Sequence, residues 1–372
     1  MKVAGVKVDT YSYREIEQGL DQALGLLGDM SDWIKPGDKV LIKPNMLDGL
    51  PAEKAVTTHP ELIRAIIRKV KKHGAVPMVG DSPGVTSTLK AAEKCGILAV
   101  CHEERTELLP FDTTVSISCP DGLTVKKFLL ASPLTEVDKV ISAAKMKTHT
   151  FMGVTGPTKN LFGCIVGMQK AQFHLRMQRR QEFAGMLLDL ARAVKPVLSI
   201  VDGIVGMEGD GPRNGYPVKA GILLAGTNCF AVDVVMAEIM GFDPLLLPVT
   251  ALAIEKQLTP ALANIHLVGD AQALRLHFIE PRSMQSLEDR LPKWIAELGH
   301  SQLTAKPSIT THCIACGRCV DHCPPQAMRM IGGRILIDYD KCIRCYCCQE
   351  LCPENAVQVT EGLLLKIVQH FL

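Results

Sequence analysis

Near the C-terminus the chain reads Cys313-Ile314-Ala315-Cys316-Gly317-Arg318-Cys319-Val320-Asp321-His322-Cys323-Pro324. It then reads Cys342-Ile343-Arg344-Cys345-Tyr346-Cys347-Cys348-Gln349-Glu350-Leu351-Cys352-Pro353. Each run places four cysteines at x2-x2-x3 spacing and closes on proline. A cubane needs four thiolates at tetrahedral corners. Two short x2 spacings let three sulfurs of one tight loop reach three irons, and the fourth sulfur must come from elsewhere. Zinc sites favour C-x2-C pairs set far apart or mixed with histidine, which this spacing is not. A secreted disulfide framework would want a signal peptide, and Met1-Lys2-Val3-Ala4-Gly5 does not begin one.

The spacing is that of bacterial two-cluster ferredoxins, in which the last cysteine of each run ligates the other cluster. It predicts two [4Fe-4S] clusters: one on Cys313, Cys316, Cys319 and Cys352, the other on Cys342, Cys345, Cys348 and Cys323. Pro324 and Pro353 turn the chain after each crossing ligand. Between the runs, Gly332-Gly333 followed by Arg334-Ile335-Leu336-Ile337-Asp338 reads as a hairpin joining two pseudo-symmetric halves. Cys347 falls outside the pattern. It is either a non-ligand thiol packed near the cluster or a reserve ligand for Cys348. His312 and His322 flank ligands and are placed to tune potential through hydrogen bonds.

At 372 residues the chain is too long for a ferredoxin alone. Its length predicts two or three domains, one able to bury a sizeable core. The formal net charge is only +2, and no basic stretch is interleaved with aromatics, so nucleic acid is not an expected partner. No apolar run is long enough to span a bilayer. Fourteen cysteines without a signal peptide predict a reducing, cytoplasmic setting.

Residues 1–245 alternate strand-like and helix-like stretches. Val40-Leu41-Ile42-Lys43-Pro44 is a buried strand ended by proline. Pro60 to His73 is an amphipathic helix with Leu62, Ile63, Ile66, Ile67 and Val70 on one face, and His59 stands at its start. Further strands are expected at 76–80, 139–144, 197–201 and 220–225, with a helix from Ala231 to Met240. The alternation predicts an α/β domain with a largely parallel sheet and helices on both faces. Residues 246–305 read as a connecting helical layer, 306–361 as the small α+β ferredoxin domain, and 362–372 as an apolar tail that packs on the protein, a partner or a membrane surface.

Three stretches carry a resemblance to the family known as DUF362, here in a ferredoxin-fused form. They are Ile42-Lys43-Pro44-Asn45, Lys145-Met146-Lys147-Thr148-His149 running on to Thr158-Lys159-Asn160-Leu161-Phe162-Gly163, and Asp202 to Pro212. The resemblance implies an iron-sulfur redox protein with an α/β domain attached. His149 and Lys159, ten apart around a glycine-bearing loop, also resemble the pocket loop of the nickel-pincer lactate racemase family. There the corresponding residues serve catalysis and cofactor attachment. Gly156-Pro157-Thr158 replaces a glycine-richer stretch here. Nickel is therefore not carried over, and the implication is only a loop able to hold an organic cofactor.

Ligands of open parallel sheets bind beyond the carboxyl ends of the strands. Cations and glycines from Lys145 to Lys159 favour an anion there, although no Walker A loop is present. If neighbouring strands are parallel, Lys43, Asn45, Asp81, Ser82, Lys145, His149 and Lys159 share one cleft, and His174 is within reach of it. Asp202, placed just after a strand, Glu208 and Asp210 suit either a hard cation or turn building. The expected function is an iron-sulfur oxidoreductase passing electrons to or from a small anionic substrate or cofactor, with His149 and Lys159 catalytic. An additional metal is left open. The alternative is a non-enzymatic electron carrier whose α/β domain docks a redox partner protein. No nicotinamide-type Gly-x-Gly-x-x-Gly loop follows a strand.

Overall fold

The structure is a computed structural model and describes residues 1–84, 86–285 and 305–360. The strands in chain order are β1 (Lys2–Lys7), β2 (Lys39–Lys43), β3 (Val76–Val79), β4 (Glu107–Leu108), β5 (Thr114–Ser118), β6 (Lys127–Ala131), β7 (Lys139–His149), β8 (Gly153–Thr155), β9 (Leu198–Glu208), β10 (Tyr216–Gly226) and β11 (His266–Gly269). Nine of them form one sheet in the order β11-β1-β10-β9-β7-β2-β3-β4, with β8 paired to β7. β9, β7, β2, β3 and β4 run parallel, β10 is antiparallel to β9 and β1, and β1 is parallel to β11.

Alternate residues of the central strands feed opposite faces, as strand geometry requires. Ile141 and Ala143 of β7, Ala4 and Val6 of β1, and Leu223 of β10 pack with the helices Tyr13–Leu27 and Pro60–Lys72. Ala144 and Met146, Val3, and Ile222 and Leu224 pack instead with the helix Cys229–Met240. Both faces are thus covered, the arrangement of a doubly wound sheet. The helix Pro60–Lys72 is legible residue by residue. His59 is its N-cap and accepts the Glu61 N–H through Nδ1, Pro60 occupies the first turn, and Lys69, Lys71 and Lys72 sit at the negative end of the helix dipole.

Two segments differ from expectation. Residues 246–305 are not purely a helical layer. After the helix Pro248–Glu255 the chain forms β11, an edge strand of the main sheet beside β1. β11 covers what would otherwise be the open edge of β1. Residues 286–304 of that layer and the apolar tail 362–372 lie outside the described residues. β7 is also longer than expected. Lys145 to His149 is strand rather than loop, sandwiched between β9 and β8.

The C-terminal module holds four strands: β12 (Lys306–Ile309) pairs antiparallel with β15 (Val357–Thr360), and β13 (Met328–Ile331) with β14 (Arg334–Ile337). Gly332 and Gly333 turn the second hairpin at φ 55° and 72°. Two consecutive left-handed residues define the hairpin turn that glycine pairs favour.

Candidate functional site: a cavity between the sheet and the cysteine module

β7 carries Lys145, Lys147 and His149 on alternate positions, hence on one face. Their fates diverge along the strand. Lys145 lies in mid-sheet, in register with Asp202 of β9. Its Nζ meets Asp202 Oδ2 at 2.9 Å and donates to Tyr11 Oη at 2.9 Å. Asp202 also accepts from Tyr11 Oη at 2.7 Å and from the His59 N–H at 2.9 Å, and the Tyr11 ring stacks on His59 at 3.6 Å. This corrects the expected cleft. Asp202 is inside a strand, not after one, and Lys145 is committed to a closed buried network apart from the other candidates. Glu208 and Asp210 likewise accept the Ile279 and Arg282 backbone N–H groups. Among the described residues no cluster of His, Cys, Asp and Glu is arranged for a metal ion.

The remaining candidates converge. Lys43, Asn45, Asp81, Ser82, His149 and Lys159 line one cavity of about 120 Å³, with His174, Lys147 and Lys170. The far wall is the cysteine module: His322, Cys347, Glu350 and Leu351. Lys43 and Asp81, at the carboxyl ends of adjacent parallel strands, form a buried ion pair of 2.7 Å. Lys43 Nζ also donates to Asn160 Oδ1 at 3.1 Å, and Asn160 returns a hydrogen bond to the Lys43 carbonyl. Lys147 Nζ donates to Asn45 Oδ1 at 3.0 Å and to the Val56 carbonyl at 2.7 Å. Lys170 Nζ is held by the Ser82 carbonyl and hydroxyl and by the Pro83 carbonyl.

Lys159 sits on the short helix Pro157–Asn160. That helix is fixed by the buried Asp233 carboxylate, which accepts the Thr158 N–H at 3.0 Å and is pushed up to about 7 by burial. Lys159 Nζ lies 4.7 Å from the Phe162 ring centre, and no hydrogen bond or ion pair reaches it among the described residues. Burial pushes Lys159 below the usual lysine range and takes Lys147 and Lys170 down to about 7. His149 accepts the Phe151 and Met152 N–H groups through Nδ1. Its neutral ring therefore carries the proton on Nε2, which faces Glu350 Oε1 at 3.4 Å. Burial, then the nearby Lys159 and His174, hold His149 well below the usual histidine range. Burial takes His174, stacked on Phe183, down to about 3.

Gly163 follows the lysine helix and makes the close approach possible. A Cβ there would collide with Asp81 Oδ1 and sit 2.7 Å from Lys43 Nζ. Gly163→Ala is therefore expected to split a buried ion pair and cost about 3–5 kcal/mol. Denaturant midpoints check this, and a change under about 0.5 kcal/mol, typical of a neutral surface site, would show that the pair is not packed against this glycine.

The cysteine module is clamped onto the sheet by few but buried contacts. Gln349 accepts from Thr150 Oγ1 at 2.8 Å and donates to the Asp210 carbonyl at 3.1 Å. Arg213 donates to the Cys352 carbonyl and Asn355 Oδ1, both at 2.7 Å, and pairs with Asp48 at 3.0 Å. These contacts set the helix Cys347–Leu351 against the cavity. A second, small cavity is lined by Cys313, Cys316, Cys319 and Cys352, three thiols from one run and one from the other. Burial and the mutual proximity of Cys345, Cys342, Cys319 and Cys323 hold the Cys348 thiol high. The lining sulfurs of that small cavity, three from one run and one from the other, are the donor type that an iron-sulfur cluster takes. Cys347 lines the large cavity while its thiol stays in contact with Cys345 of the second run.

Sheet and module together define a protein of two parts, a mostly parallel α/β sheet joined to a ferredoxin-type module. Residues 40–238 match the domain of unknown function DUF362, and residues 307–353 match the 4Fe-4S dicluster domain. The chain belongs to the DUF362 family and carries a 4Fe-4S ferredoxin domain. It is 33% identical over 264 residues to a thylakoid-associated protein of Synechocystis sp., covering 71% of this chain and 82% of that one. The lactate racemase apoprotein of Thermoanaerobacterium thermosaccharolyticum superposes with a TM-score of 0.38 and 15% identity, over 61% of this chain and 54% of that structure. This chain therefore spans about half the length of that structure. Among the described residues no helix is long and apolar enough to cross a membrane.

Proposed function

We propose that this chain is an iron-sulfur oxidoreductase that exchanges electrons with a small anionic molecule bound in the large cavity. The carrying observation is that the cavity wall opposite Lys159 and His149 is the helix Cys347–Leu351, which holds Cys348. Two [4Fe-4S] clusters, ligated crosswise as the spacing predicts, supply one-electron transfer when bound. The α/β residues do the rest. Lys147, Lys159 and Lys170 attract the anion, while His149 presents its Nε2 proton and Glu350 closes the wall. Phe162 and Leu351 reduce water access. On this reading Lys145 and Asp202 are structural.

The carrier reading finds support at the other end of the module, where Cys316 is exposed and Ile314 is 63% exposed. That end suits a redox partner protein, and both readings are met if it is the electron entry. All fourteen cysteines are unpaired, which suits the reducing cytoplasm. The test is anaerobic purification, iron and sulfide analysis, and mass spectrometry of small molecules released on denaturation. The expected result is about eight irons per chain and a released small anion. Full iron with substrate-independent clusters and no anion would leave only the carrier reading.

A further inference from the structure

Resting on the reading that the large cavity is the ligand site, we infer that it takes a small organic dianion: two anionic groups on a short carbon body. Four lysines line the cavity against two carboxylates, Asp81 and Glu350. Lys43 is used by Asp81 at 2.7 Å. Lys147 and Lys170 hydrogen-bond only to neutral acceptors among the described residues, and Lys159 lies over aromatic rings. Nearby Asp48 is used by Arg213. Counting Glu350 as fully ionised, two cations remain without an anion. Buried charge is stable only when paired, so a ligand with two negative charges completes the site.

Unfilled hydrogen-bonding positions support this class. His149 Nε2 and Thr155 Oγ1 are buried, line the cavity and make no hydrogen bond, with Glu350 Oε1 3.4 Å from His149 Nε2. Both can donate to ligand oxygens. Leu47, Phe162, Met168 and Leu351 supply apolar wall, which suits carbon rather than a bare inorganic ion. The volume of about 120 Å³ is near that of a cavity that admits benzene, which suits a ligand of about six to eight non-hydrogen atoms.

A pH dependence follows. Lys147 faces Glu350, Lys159, Lys145 and Asp48, and Lys170 faces Asp81, Lys43, Lys159 and the Cys164 thiol. Both lysines stand at about 7 without ligand. An anion binds their protonated forms, so affinity is full below that value and falls as pH rises through it.

The test is calorimetric titration of the intact, anaerobically purified, oxidised protein with succinate, butyrate and inorganic phosphate. Succinate is expected to bind about ten- to hundred-fold more tightly than butyrate at pH 6, since each lost charge-assisted contact costs about that much. The difference should shrink in Lys170→Met and in Lys147→Met, with circular dichroism confirming that each folds. Phosphate binding more tightly than succinate, with the same lysine dependence, would support a dianion whose charge sits on a phosphate ester. Butyrate binding as well as succinate, lysine-independent binding, or no binding of any of the three would overturn the inference. No electron moves in this measurement, so a failure of the redox reading leaves its outcome untouched.

Discussion

Lys159→Ala and His149→Ala are expected to keep their full iron content and to be reduced by dithionite like the parent chain. They should lose reoxidation of the clusters by the cavity molecule. Lys159 is the lysine of this cavity that makes no hydrogen bond or ion pair among the described residues, and Glu350 acts on it only through space, so its ammonium is available to a ligand. Removing one such preorganised charged or donor group costs about 10²–10³ in rate at sites of this kind. The structural cost should be small for Lys159, because no buried partner is left unpaired. It is larger for His149, whose Nδ1 accepts two backbone N–H groups. His149→Gln, which keeps an acceptor, is therefore the gentler companion. Anaerobic stopped-flow traces of reduced protein mixed with the released molecule provide the readout. Turnover at the parent rate in both variants would remove the enzyme reading's main residues.

Cys352→Ser and Cys323→Ser are expected to injure the cluster opposite to the run in which each residue stands. Cys352 shares its cavity with Cys313, Cys316 and Cys319, although it lies in the second run. Its serine variant should lose about four of eight irons and keep the electron paramagnetic resonance signal of the Cys342–Cys348 cluster. Cys323→Ser should show the reverse. Cys347→Ser, by contrast, should retain all iron, because this thiol lies on the wall of the large cavity. Loss of about four irons there would make Cys347 a ligand instead.

Much of this architecture is legible in the residues themselves. The cysteine runs, the Gly332-Gly333 hairpin, β2 ending at Pro44 and the capped helix Pro60–Lys72 depend on local spacing and local chemistry. Lys145 to His149 misleads because lysines and histidine inside a buried strand violate the usual apolar pattern. The strand continues because β9 and β8 satisfy its backbone and each polar side chain finds a partner or a cavity. Alternation is the signal for the strand: Ala144 and Met146 are buried on the opposite face from Lys145, Lys147 and His149. The same alternation cannot say that Lys145 belongs to Asp202 while His149 reaches Glu350. That split depends on register between strands 57 residues apart and on docking across the interface. Glu350, Leu351 and Lys170 join the cavity only through long-range packing, so nothing local marks them. Cys347 is legible as a surplus thiol, but its place on the cavity wall is not.

The most direct test of the central claim is a redox titration followed by electron paramagnetic resonance on the parent chain and Lys159→Ala. If the cavity is wired to the Cys342–Cys348 side, removing this cation should lower the potential of one cluster by on the order of tens of millivolts. The cluster that moves should be the one absent from Cys342→Ser, and the other should stay in place. Unchanged potentials for both clusters, or a shift confined to the Cys313–Cys319 side, would contradict the account.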